Sequence, residues 1–172
     1  MKRIISSLVL IGGLASFAHA AGGVVSQHSL SLELADRLAQ SAIRACGAGN
    51  YNVAVTVVDR AGTPLVIKRM DNAGPHTVEA SRMKAFTALT TRNATENVMK
   101  GAQANAGAAN LRDIPGFLLL AGGVPVKSGE EVVGAIGVGG APGGHLDQQC
   151  ALEALKSAQS SLKAGYVLTP GQ

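Results

Sequence analysis

Few residues in this chain can do chemistry, and they are thinly spread. Beyond the first twenty residues the histidines are His28, His76 and His145. No two stand at metal-ligand spacing, and HExxH, CxxC and CxxCH runs are all absent from the sequence. Imidazole titrates near neutral pH and is the commonest protein ligand to a metal. His76 and His145 merit the closest look, because each stands in a Gly/Pro-rich stretch at the start of a predicted helix. Functional side chains and anion-binding amides collect in such places. Lys84, set among Met83, Ala85 and Phe86, is either a solvated lysine or a buried one needing a partner or a task. His145 and Lys84 are therefore candidates for moving a proton. Asp59 reads most simply as a turn residue, and no Ser-His-Asp set can be assembled from local spacing.

The run from Gly134 to Gly144 invites a dinucleotide-binding reading, but its G-x-G-x-x-G frame meets Pro142 and lacks a βαβ setting. Two readings stay open: a connection only glycine can turn, or bare amides at a helix start that hold a carboxylate or other anion. Cys46 and Cys150 are the only cysteines. They form either a bridge or two small buried thiols that never meet. An oxidising compartment favours the bridge.

That compartment is indicated by the N-terminus. Lys2 and Arg3 precede an apolar stretch from Ile4 to Ala18, and Ala18-His19-Ala20 supplies a small-x-small cleavage pattern. Residues 1–20 read as a signal peptide, too short to span a membrane, and residues 21–172 as a single domain in the periplasm or outside the cell. Removing Lys2 and Arg3 from the 15 basic residues leaves 13 against 11 acidic ones, a net charge of +2. With no basic cluster interleaved with aromatics, nucleic acid is excluded as a partner, and no second apolar span points to a membrane. Charged residues make up only 15% of the chain. So little obligatorily wet surface predicts a homo-oligomer.

The elements that must position these residues follow from periodicity. Ser29 or Ser31 can cap a helix with an apolar stripe at Ala35, Leu38, Ala39, Ala42, Ile43 and Cys46. Tyr51–Val58 and Leu65–Met70 read as a β-hairpin across the turn at Asp59–Gly62. A helix from Val78 to about Arg92 follows, with Ala80, Met83, Lys84, Phe86 and Thr87 on neighbouring faces, then a shorter one over Thr95–Gln103. Residues 104–113 read as an irregular loop. Three more strands are predicted at Phe117–Leu120, Val124–Lys127 and Glu131–Val138, and a closing helix over Leu146–Lys163. Hairpin spacing at both ends makes this an α+β fold with antiparallel pairing. If the first and last helices pack antiparallel on one face of the sheet, Cys46 and Cys150 come close.

Several ordered motifs resemble the GlcG/HbpS-like family. They are Val53-Ala-Val-Thr-Val-Val-Asp59-Arg-Ala-Gly62, Arg69-Met70-Asp71, Ala80 with Lys84-Ala-Phe-Thr-Ala88, Pro115-Gly116 with Gly122-Gly123-Val-Pro125, Val133-Gly-Ala-Ile-Gly-Val-Gly-Gly140, and Gly144 with Asp147-Gln-Gln-Cys150. The resemblance covers about residues 28–166. It implies a profilin-like three-layer α/β/α fold with a five-stranded antiparallel sheet, related to the C-terminal domain of PduO-type cobalamin adenosyltransferases, and it implies oligomers. Some members bind haem and others sit near genes for organic-acid use, so the resemblance fixes fold better than task. The matched positions around the expected pocket are Arg69, Met70, Lys84, Gly139, Gly140 and Asp147, with His76 and His145 as candidate haem-iron ligands beside them. Three roles compete on this footing: an exported binding protein for non-covalent haem or a similar small ligand, an isomerase or lyase acting on a small organic acid with His145, Asp147 or Lys84 moving the proton, and a scaffold without a small ligand. Whether the chain is an enzyme stays open here.

Overall fold

A computed structural model describes residue 23 and residues 25–163. The expected signal peptide lies outside the described residues. Among the described residues ten elements follow one another: α1 (Leu32–Ala48), β1 (Ala54–Asp59), β2 (Pro64–Arg69), α2 (Thr77–Thr91), α3 (Thr95–Ala104), a 3-10 turn (Ala106–Asp113), β3 (Gly123–Ser128), β4 (Glu131–Gly139), α4 (Gly144–Ser157) and α5 (Gln159–Lys163). The strands form one antiparallel sheet in the order β2-β1-β4-β3.

Among the described residues the sheet has four strands, not the five expected. The segment Phe117–Leu120 is apolar enough for a strand, but its backbone groups bond elsewhere. The Leu118 N–H donates to Thr87 Oγ1 at 2.9 Å, the Leu120 N–H to the Leu118 carbonyl, and the Leu120 carbonyl accepts from Thr95 Oγ1 at 2.7 Å. Threonine side chains from α2 and α3 thus satisfy groups that a ladder would otherwise need. Phe117 is buried edge-on against Phe86, with ring centroids 6.1 Å apart.

The two faces of the sheet are built differently. Val55, Val57, Ile136 and Val138 point toward α1 and α4 and join Leu34, Leu38, Ala42, Ala151 and Ala154 in the main apolar core. Ser31 caps α1, accepting from the Leu34 N–H at 3.2 Å. Cys46 and Cys150, buried on α1 and α4, form a disulfide with Cα atoms 5.4 Å apart. On the other face Val58 and Ala135 meet Ala85 and Ala88 of α2 in a much smaller cluster. There the α2 backbone comes so near that a Cβ at Gly137 would stand 2.5 Å from the Ala85 nitrogen. Only glycine allows that approach. Thr56 and Ser81 hydroxyls, both fully buried, meet at 2.7 Å in this layer.

The stripe that helix α2 buries overlaps the expected one only at Lys84 and Thr87. Thr77, Ser81, Lys84, Ala85, Thr87 and Ala88 face the sheet, while Ala80, Met83 and Phe86 are only partly buried. Small and hydrogen-bonding side chains win the contact because the facing strands carry glycine, alanine and threonine. The closing helix breaks at Ala158 rather than running unbroken to Lys163.

Candidate functional site

Register places the candidate residues. Ala54 of β1 lies opposite Arg69 of β2 on one side and Gly139 of β4 on the other. The loops leading into α2 and α4 therefore depart from the same end of the sheet. Gly140 turns the β4 exit at φ +133, and a Cβ there would stand 2.6 Å from the Asn52 carbonyl and 3.2 Å from Thr77 Cγ2. So β4 finishes against the first residue of α2. His76 occupies the N-cap position of α2 and His145 is the second residue of α4, inside its first turn rather than in the loop before it. Both imidazoles are exposed. Neither helix start has a side-chain cap, since His76 and Gly143 make no capping hydrogen bond.

Beneath this end lies a buried ion pair. Lys84 and Asp147 are 1% and 2% exposed, and Lys84 Nζ donates to Asp147 Oδ2 at 2.7 Å and to the Val138 carbonyl at 2.9 Å. Burial pulls the Lys84 ammonium below its ordinary pKa, and the Asp147 charge and hydrogen bond oppose that shift. Asp147 Oδ1 accepts from the Ala141 N–H at 2.9 Å. An internal carboxylate is thus already held by an amide of the glycine-rich loop, in the first turn of α4 where a negative charge is favoured. The pair joins α2 on one face of the sheet to α4 on the other.

The remaining candidates are spread around this rim. Arg69 is exposed and donates to the Ala73 carbonyl at 2.9 Å, which pins the loop after β2. Met70 packs on the α1/α4 core, and its sulfur accepts from the Val53 N–H at 3.4 Å. His145 leans toward α3, where it acts electrostatically on Glu96. Glu96 also accepts from Lys100 at 2.6 Å and from Gln148 at 2.7 Å, and together with His145 these hold its carboxyl below the ordinary value. Sequence reasoning missed Glu96 and Gln148. Their separation of 52 residues leaves no local signal, although Glu96 does fall in the first turn of a predicted helix. Among the described residues no three His, Cys, Asp or Glu side chains gather as a metal site. No described helix is long and apolar enough to cross a membrane.

Sheet order, the two helical layers and the glycine-packed α2 define a small α+β domain of a known kind. Residues 30–156 match the model of the family described as haem degrading protein HbpS-like, and the chain belongs to that family. It is 31% identical to protein GlcG of Escherichia coli K12 over 109 residues, which is 63% of this chain and 80% of that protein. A crystal structure of a Streptomyces reticuli HbpS double mutant is 37% identical, with a TM-score of 0.75 over 90% of this chain and 98% of that one. The PduOC:heme complex shares the fold at 23% identity and a TM-score of 0.69, over 75% of this chain and 94% of that one.

Proposed function

We propose that this protein is an exported, oligomeric binding protein for haem or a similar small ligand. The observation that carries the reading is the pairing of two exposed imidazoles with two uncapped helix starts at one end of the sheet, beside Arg69. Neutral imidazole is a haem-iron ligand, and guanidinium and helix N-termini suit propionates. These donors fit the group: His76 or His145 would hold the iron and Arg69 a propionate. Lys84, buried and bonded to Asp147, is left to hold the rim together. Bound haem would supply a redox-active iron. The family description points the same way, and PduOC is a domain of this fold solved with heme.

Because both imidazoles face outward, the apolar faces of a porphyrin need a second wall, which a neighbouring subunit would supply. The low charge content and the exposed Leu32, Ile67, Ile114, Leu120 and Leu152 favour such assembly. Export is supported by the N-terminal cleavage pattern and by the disulfide, which persists in oxidising compartments. The organic-acid enzyme draws less support, since two of its three proton movers, Lys84 and Asp147, are buried and spent on each other. Titrating purified protein with haemin tests the proposal. A Soret band that His76→Ala or His145→Ala removes is expected, and native mass spectrometry should show several subunits per ligand-bearing particle. An unaltered free-haemin spectrum with the wild-type protein overturns the haem reading, and a particle with no small molecule favours the scaffold.

A further inference from the structure

At the end of the sheet opposite the histidines lies a cleft of about 330 Å3, in the range of small-molecule sites. Its floor and apolar wall are Phe86, Leu89 and Val132, and its charged rim carries Arg60, Arg92, Glu130 and Glu131. Phe86 is firmly seated: Gly62 and Gly116 approach its ring so closely that a Cβ on either would stand 3.2 and 3.3 Å from it, and Phe117 meets it edge-on.

The four charges divide into two pairs with different fates. Arg60 Nη1 donates to Glu131 and to the Val132 carbonyl, and the other Glu131 oxygen lies 2.8 Å from His28 Nδ1. That pair is internally satisfied and fixes the β3–β4 turn. Arg92 and Glu130 are both exposed at the mouth of this cleft, and neither the guanidinium nor the carboxylate makes a hydrogen bond or ion pair among the described residues.

The backbone makes Arg92 stand out further. It sits at the C-terminus of α2 with φ 53 and ψ 29, its N–H bonded to Leu89 and that of Asn93 to Ala88. This left-handed position belongs ordinarily to glycine or asparagine. A long cationic side chain held there against conformational preference points to a role for the charge.

We infer that this cleft binds a zwitterion with an apolar side chain, an amino-acid-like molecule, distinct from any ligand at the histidine end. Arg92 takes the carboxylate, Glu130 takes the ammonium, and Phe86, Leu89 and Val132 receive the side chain. One unpaired cation and one unpaired anion in a single cleft match a ligand carrying both charges and reject one carrying either alone.

Isothermal titration of the purified protein with L-leucine and L-phenylalanine tests the inference, with N-acetyl-L-leucine and L-leucinamide as the singly charged analogues. The zwitterions should bind, and each analogue should bind roughly ten- to hundredfold more weakly, as should Arg92→Gly and Glu130→Gln with the zwitterions. Arg92→Gly relieves the left-handed backbone, so its melting temperature should rise while affinity falls, separating lost binding from lost folding. No binding of either zwitterion at millimolar concentration overturns the inference. So does equal binding of the N-acetyl analogue, which would make the cleft a plain anion site, or affinity unchanged in both variants.

Discussion

The two faces of the sheet hold their helices by opposite means. Toward α1 and α4, branched and aliphatic side chains fill a thick layer that a disulfide then cross-links. Toward α2 the layer is thin: backbone lies on glycine, the apolar cluster is a handful of valine and alanine side chains, and Thr56–Ser81 and Lys84–Asp147 supply buried polar bonds. A thick apolar layer tolerates a lost methylene by partial relaxation. A backbone-on-backbone contact has no side chain to move, and a buried charge has no solvent to fall back on. The α2 face should therefore be the less forgiving of the two, although it buries less apolar surface.

The sharpest test of that contrast is Gly137→Val. The new side chain collides with the α2 backbone, and a loss of about 4 kcal/mol or more is expected in urea unfolding. A near-neutral result would show that α2 can lift off its face. Next is Lys84→Met, which strands Asp147 in the interior and should cost about 3–5 kcal/mol. Adding Asp147→Leu should recover most of it. If the double variant is no better than the single one, the pair does more than satisfy itself.

The α1/α4 face is probed by Cys46→Ser with Cys150→Ser. Removing a link across 104 residues should cost about 2–4 kcal/mol, and reduction of the wild type should match it. Arg92→Gly, at the far end of α2, should stabilise by about 1 kcal/mol, as glycine takes the left-handed position without penalty. The smallest effect lies at the exposed turn that closes the cleft. His28 and Arg60 hold the Glu131 carboxyl below its ordinary value of 4.5. A carboxylate with a depressed folded-state pKa stabilises fully above the unfolded value and loses that contribution as pH falls through the folded one. Melting curves of wild type and Glu131→Gln should thus differ at neutral pH and converge in acid, as pH falls through the depressed folded-state value. A gap that widens in acid would contradict the sign.

How far these features were legible follows the same division. The stripe of α1 and both hairpins come from short-range pattern, because a thick apolar layer writes itself as periodicity; the choice of Ser31 over Ser29 as cap and the joining of Cys46 to Cys150, 104 residues apart, were settled by the packing. The α2 stripe was legible only at Lys84 and Thr87, since Thr77 and Ser81 look like solvent-facing residues until the facing strands prove to be glycine and alanine. The missing fifth strand has the same origin. Phe117–Leu120 has a strand's composition, yet Thr87 and Thr95, 31 and 25 residues away from their bonded partners, claim its backbone.

For the site, sequence by itself singled out His76, His145, Lys84 and Asp147 as the residues with chemical potential, and named the family through ordered motifs. Only the tertiary structure decided that Lys84 and Asp147 neutralise each other in the interior while both imidazoles stay outside. It alone set Arg92 and Glu130 on one cleft without joining them. Side-chain type is a local property that a sequence carries in full. Whether a charge meets a partner, a ligand or water depends on groups tens of residues away, and folding alone brings those together.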